Sequence, residues 1–161
     1  MSQKKISITY EEFPKGAGLE QQDSELLKKA ADAAKSAYAP YSNFNVGAAV
    51  RLSNGEVIAA SNQENAAYPS GLCAERVALF SAMAQFPDLK ITQLAISVKT
   101  LNGSVNSPVA PCGACRQVIA EYEHRQNSKI EIIFSSETGK TIVVNGVESL
   151  LPFTFNSNYL P

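Results

Sequence analysis

The sequence predicts an α/β fold, a β-sheet with helices packed on its faces. Three observations carry this. Strand-like and helix-like stretches alternate along the chain, and a sheet covered by helices is the architecture that satisfies such an order. Two strand-like runs are joined through Ser53-Asn54-Gly55, and Asn-Gly is a strong hairpin signal. Leu26, Leu27, Ala30, Ala34 and Ala37 form an apolar stripe at helical spacing, and Pro40 stops it.

In chain order, Ile6, Ile8 and Tyr10 alternate with polar residues, which suits a short N-terminal strand or arm. Pro14, Gly16 and Gly18 mark a loop. The first helix is predicted over residues 23–39, with Asp23 or Ser24 as its cap. The hairpin strands cover 43–52 and 56–61. A polar loop over 62–72, carrying Pro69 and Gly71, leads into a helix over 73–85 that Pro87 closes. A strand over 93–99 and a loop over 100–111 follow. A further helix begins near Cys112, and Pro111 suits its first turn, where no amide donor is needed. Strands over 129–135 and 140–145 and a short helix over 147–151 complete the reading.

A chain of 161 residues is the size of one domain, so residues 1–161 are expected to form a single unit. Hydrophobic residues make up 45 %, which excludes general disorder. Lys and Arg number 14 against 15 Asp and Glu, so the basic excess of a protein that lives on phosphate contacts is absent. No apolar run approaches the ~20 residues that span a bilayer, and the first residues lack the apolar core of a signal peptide. A cytoplasmic protein with no membrane or nucleic-acid partner is expected.

The cysteines narrow the chemistry. There are three, Cys73, Cys112 and Cys115, an odd number that argues against a disulfide framework. Cys112-Gly113-Ala114-Cys115 places two sulfurs about one helical turn apart on one face, suited to clamping a metal or cycling as a dithiol. Cys73 and Cys112 each fall where a predicted helix starts. Helix N-termini carry unpaired amide donors and about +0.5 charge, both of which stabilise a thiolate.

Cys73-Ala74-Glu75 followed by Pro111-Cys112-Gly113-Ala114-Cys115 is similar to the zinc deaminase pattern, with three ligands and one acid/base. Three protein ligands leave one tetrahedral position open for water, whose pKa zinc lowers from 15.7 to about 7. Glu75 is the carboxylate placed to move protons. Residues two apart on a regular helix point away from each other, so Cys73 belongs at or before the first turn. Three thiolates around a divalent ion carry net negative charge, which makes bound water less acidic. Arg76 and Arg116 each follow a motif residue and are the candidates to offset it, with Arg76 favoured.

The flanking segments extend the likeness. Residues 38–49, from Tyr38 through Phe44 to Ala49, resemble the opening segment of the small cytidine deaminases, and residues 62–76 resemble their main signature. Cys112 to Gln117 and Leu150 to Phe155 complete a match that runs over about 24–155. The chain is identified as a member of that family, in its homotetrameric, three-cysteine form. The resemblance implies a three-layer α/β/α fold with a mixed, about five-stranded sheet. It implies one zinc ion per subunit and hydrolytic deamination of cytidine and 2′-deoxycytidine, releasing ammonia, in pyrimidine salvage. It gives Phe44 a place against the pyrimidine ring, Asn62 and Glu64 the ribose 3′-hydroxyl, and the Ala66 amide the 2-oxo group. Tyr68 and Phe155 would reach a neighbouring subunit's site, Phe155 closing over the base. Gln63, Ala67 and Ala110 depart from the family's common residues, and residues 1–22 extend beyond its short members with no role assigned.

Other readings weigh against this one. A thioredoxin-like dithiol explains Cys112 and Cys115 but leaves Cys73 and Glu75 without a purpose. A purely structural zinc site needs a fourth protein ligand, and His124 lies about 13.5 Å further along the helix than Cys115. Phe44 and Phe155 are by default core residues, and Asn62 and Glu64 ordinary loop polar groups. A blasticidin-type aminonucleoside deaminase and a catalytically dead, zinc-stabilised binding subunit share the cysteine pattern.

Overall fold

The computed structural model describes residues 1–161. Six strands form one mixed sheet in the order β1-β6-β5-β4-β2-β3: β1 (Glu11–Phe13), β2 (Phe44–Leu52), β3 (Val57–Ser61), β4 (Ile91–Thr100), β5 (Glu131–Ser135) and β6 (Thr141–Asn145). Three helices cover it, α1 (Gln21–Ala34), α2 (Ala74–Gln85) and α3 (Gly113–Gln126). All neighbouring strands run antiparallel except β4 and β5, whose parallel pairing is made by the crossover through α3.

The layers follow from the two-residue period of the strands. Val50 and Leu52 of β2, Leu94 and Ile96 of β4, and Ile132 and Phe134 of β5 point to one face, where Ala78, Leu79 and Ala82 of α2 and Ile119 of α3 cover them. The alternate residues Ala49, Ala95, Ile133 and Val143 point to the other face, against Leu26 and Ala30 of α1. The hairpin turn is as predicted: Gly55 sits at φ +91° and donates to Leu52 O, and Asn54 Oδ1 accepts from the Glu56 amide.

The structure corrects four expectations. The sheet has six strands, not about five, and the sixth lies inside the N-terminal extension: Glu11–Phe13 pairs with β6 at the sheet edge. Ile6, Ile8 and Tyr10 precede that pairing, form no strand and are exposed. Helix α1 starts at Gln21 with Glu20 at its cap, because Asp23 is buried and accepts a hydrogen bond from Gln93 instead of capping. It ends at Ala34, not Ala39, since Tyr38 is drawn out of the helix to donate to Asn62 O and accept from the Glu64 amide.

Asp23 belongs to a polar network that fixes α1 against the sheet. Gln93 Nε2 donates to Asp23 Oδ1 at 2.7 Å and to Glu131 Oε1 at 2.6 Å, and Gln93 Oε1 accepts from Arg51 Nε at 2.7 Å. Burial, first, and the neighbouring carboxylates push Glu131 above its ordinary value, while Gln93 opposes them. Gln93→Ala should leave two adjacent carboxylates without their shared donor and cost about 2–3 kcal/mol. The check is the urea midpoint at constant m-value; an unmoved midpoint would show that the network holds nothing.

Candidate active site

Strand direction assembles the site. Strands β3 and β4 both run antiparallel to β2, so their C-terminal ends and the N-terminal end of β2 share one edge of the sheet. The loop after β3 leads to the start of α2, and the loop after β4 leads to the start of α3. Two helix N-termini thereby converge outside the carboxyl ends of strands, where α/β sheets place their ligands.

Cys73 and Cys112 are the N-cap residues of α2 and α3, each in extended backbone, and neither spends its side chain on a capping bond. The geometry demanded of Cys73 is therefore met: it stands before the first turn. Pro111 lies just ahead of the Cys112 cap, outside the helical turn, and its carbonyl accepts from Arg116 Nε at 2.7 Å. Cys115 comes one turn into α3 and is fully buried.

The three sulfurs meet. Cys73 Sγ lies 3.8 Å from Cys112 Sγ, Cys112 Sγ lies 3.5 Å from Cys115 Sγ, and all three fall within 4.8 Å of one another. Tetrahedral Zn–S bonds of about 2.3 Å place their sulfurs about 3.8 Å apart. Three thiols this close cannot all ionise without a cation among them. The donor set thus fits zinc in chemistry and in spacing, and it contains no fourth protein ligand. His124 is elsewhere, with Nε2 3.0 Å from Ser157 Oγ.

Electrostatics favour thiolate at the half-buried Cys73. The Cys73 pKa is pulled down to about 5, first by a hydrogen bond from Cys115 and then by Arg76. The shared bond and burial push the Cys115 thiol up. Arg76 Nη2 points at Cys73 Sγ across 3.7 Å, whereas Arg116 is committed to the carbonyls of Pro111 and Leu150. Of the two candidate arginines, only Arg76 reaches sulfur.

Glu75 is the second residue of α2, 5 % exposed, and it lines a cleft of about 680 Å³. Burial, first, and the neighbouring Cys73 push its carboxyl above the ordinary range. Cys73, Cys112, Phe44, Asn62, Glu64 and Tyr68 line the same cleft. Cys115, Ala66 and Phe155 are not part of its wall. Phe155 is 57 % exposed and stacks on Tyr159 at 5.7 Å, and its carbonyl accepts from Gln117. Tyr68 is 75 % exposed, its ring edge-on to Tyr41.

Asn62 and Glu64 also build the wall they line. The Asn62 amide accepts from the Val46 N–H at 2.8 Å and donates to Phe44 O at 3.0 Å. Glu64 accepts from the Tyr41 and Ser42 amides and from Ser42 Oγ, and the Ser42 bond leads in holding its carboxyl below the ordinary range. The sequence reading assigned nothing to Ser42 or to the apolar cleft residues Val46, Ile96 and Val109. A serine two residues ahead of a strand's first amide was the available signal for Ser42, since such hydroxyls bond local backbone.

The family described as the cytidine and deoxycytidylate deaminase zinc-binding region matches residues 20–128. The cytidine deaminase of Halalkalibacterium halodurans is 46 % identical over 96 residues, 60 % of this chain and 68 % of that protein. The blasticidin-S deaminase of Bacillus cereus is 30 % identical over 143 residues, 87 % of this chain and 96 % of that one. A crystal structure of cytidine deaminase from Burkholderia pseudomallei superposes with a TM-score of 0.70 at 38 % identity, covering 82 % of this chain and 98 % of that one. With a fold, a three-sulfur cluster and a matched region that agree, the chain belongs to the cytidine and deoxycytidylate deaminase zinc-binding family.

Proposed function

We propose that the protein deaminates free cytidine and 2′-deoxycytidine hydrolytically, giving uridine or 2′-deoxyuridine and ammonia, as a step of pyrimidine salvage. The observation that carries this is the buried Glu75 carboxyl in the same cleft wall as Cys73 and Cys112, at converging helix N-termini. The family's other named substrate class, the nucleotide, would bring a phosphate; the cleft wall holds neither Lys nor Arg to meet it. The free nucleoside fits better.

Zinc held by Cys73, Cys112 and Cys115, one ion per subunit in this reading, supplies the Lewis acidity that makes water nucleophilic near neutral pH. Phe44 packs against the pyrimidine ring and directs C4 towards the cysteines. Asn62 and Glu64 hold the ribose 3′-hydroxyl, using the hydrogen-bonding capacity left after their backbone contacts. The 2-oxo group goes to the amide of Ala66, which adjoins the wall residue Asn65 without itself lining the cleft. Glu75 accepts one proton of the attacking water and delivers it to N3, then takes the second from the hydroxyl added at C4 and gives it to the amine, which leaves as ammonia while the C4 carbonyl forms. Its burial suits this work, because it raises the carboxyl's affinity for protons above that of a free carboxylate, as a proton carrier needs. Arg76 offsets the excess charge of three thiolates.

In the same reading residues 1–161 form one deaminase-like unit, and four copies assemble with shared sites. Phe155, exposed and outside its own cleft wall, and Tyr68, exposed on the wall of its own cleft, reach a neighbour's site in that assembly. Free thiols at a metal site suit the reducing cytoplasm. No helix is long and apolar enough to cross a membrane.

A second reading, deamination of an aminonucleoside antibiotic, is favoured by the 30 % identity to the blasticidin-S deaminase of Bacillus cereus. The test is uridine and ammonia release by zinc-loaded protein, with cytidine, 2′-deoxycytidine and blasticidin S in parallel. Uridine from cytidine supports the first reading. Turnover of the antibiotic alone moves the assignment to the second, and silence on all three overturns both.

A further inference from the structure

The nucleoside-binding groups of the cleft are not independent of each other, and the side chain that joins them is Ser42. Its hydroxyl donates to Glu64 Oε1 at 2.5 Å and accepts from the Phe44 amide at 3.1 Å. Between Ser42 and Phe44, Asn43 adopts a left-handed conformation at φ +54°, rare for a residue with a side chain. That conformation is held from both sides: the Asn43 amide donates to Ala39 O, and its carbonyl accepts from the Leu101 amide. The turn thereby brings a strand's first amide back onto the hydroxyl two residues earlier. Phe44 is clamped at both ends, its N–H by Ser42 and its carbonyl by Asn62 Nδ2. Glu64 is clamped on both oxygens, Oε1 by the Ser42 hydroxyl and Oε2 by the Tyr41 and Ser42 amides.

We infer that Ser42 is a positioning residue that sets the sugar-holding carboxylate of Glu64 and the ring-packing Phe44 at a fixed separation, so that the cleft measures a nucleoside from base to 3′-hydroxyl. This rests on the roles proposed above for Glu64 and Phe44. A single hydroxyl has one hydrogen to give and two lone pairs. Spending the hydrogen on the carboxylate and a lone pair on the amide makes any shift of one group a strain on the other. The chemistry at Glu75 and the cysteines lies outside this link, so its loss should fall on binding.

Ser42→Ala and Ser42→Thr test it, with cytidine and 3′-deoxycytidine as paired substrates and urea midpoints as a control for folding. Ser42→Ala should raise KM for cytidine by about tenfold with kcat within about twofold. The KM penalty should shrink to about threefold or less on 3′-deoxycytidine, which offers Glu64 nothing to hold. Ser42→Thr, keeping the hydroxyl, should restore KM to within about threefold of the parent. An equal penalty on both substrates, or a Thr variant as poor as Ala, would reduce Ser42 to local structure and overturn the inference. An unchanged KM in Ser42→Ala would overturn it too. If Glu64→Gln raises KM by the same factor on cytidine and on 3′-deoxycytidine while the parent turns over cytidine, the sugar-holding role of Glu64 has failed, and the coupling built on it falls with it. A parent that makes no uridine overturns the reading and the inference together.

Discussion

Glu75→Gln is expected to lower kcat for cytidine by about a thousandfold or more while leaving the protein folded and its zinc content unchanged. Gln matches Glu in volume, so the packed start of α2 around Ala74 and Ala78 is not disturbed. The cysteine sulfurs form the ligand cluster without Glu75, so the metal does not depend on its charge. What disappears is the proton carrier proposed above. Removing a positioned general acid–base costs about 10²–10⁴ in rate, and Glu75 is asked to act twice in one cycle, carrying a proton from water to N3 and then from the added hydroxyl to the amine. A thousandfold loss corresponds to about 4 kcal/mol of barrier. Metal analysis beside steady-state kinetics decides the matter. If the variant keeps kcat within about tenfold of the parent, another group moves the proton and the assignment of Glu75 is wrong.

The cluster that surrounds Glu75 was legible because local rules and chemistry agreed there. Loops with Gly71 and Pro111 announce helix starts, both cysteines fall at those starts, and the structure puts each at an N-cap. A CxxC pair on one helix face needs no long-range knowledge. The preference for Arg76 over Arg116 was also readable in outline, but what separates the two is tertiary: Arg116 is taken by Leu150 O, from a segment 34 residues away.

The parts that escaped the sequence are those fixed by distant partners. Strand β1 is three residues long and two of them are glutamates, so no apolar alternation marks it; the free edge of β6 selects it. Asp23 has the chemistry of a helix cap and is used otherwise, because Gln93, 70 residues on, competes for it within the core. Ala37 continues the apolar stripe of α1, yet the helix has ended by then, since Tyr38 finds its partners in the loop after β3. Glu64 shows the same limit at the site. Its sequence neighbours suggest a free loop carboxylate, and its actual partners, Tyr41 and Ser42, lie across the cleft wall.

Gly47→Ala should abolish folding, and it is the mutation expected to do most harm outside the cluster itself. Gly47 pairs with Ser61 of β3 on one side and Ser97 of β4 on the other, in the middle of the sheet under α1. A Cβ built there would lie 1.9 Å from Ala30 O and 2.5 Å from Ala34 N. Both are backbone atoms of the helix, so no side-chain rotation relieves the overlap. The helix would have to lift off Ala49, Ala95 and Ile133, which it covers. Lifting it exposes the smaller core and strands the Asp23–Gln93 contact, so the cost should exceed about 4 kcal/mol against a total stability of about 5–15 kcal/mol. Ala30→Gly should not rescue the variant, because the clash is with the carbonyl and not with the methyl group. That separates this explanation from ordinary overpacking, which a smaller neighbour does relieve. The strand also carries Val46 and Phe44, the residues that Asn62 pins to the cleft wall, so even a partly folded product should bind nucleoside poorly. Soluble yield and the urea midpoint are the measurements. A Gly47→Ala protein whose stability lies within about 1 kcal/mol of the parent would mean that α1 and β2 do not approach as closely as the structure places them.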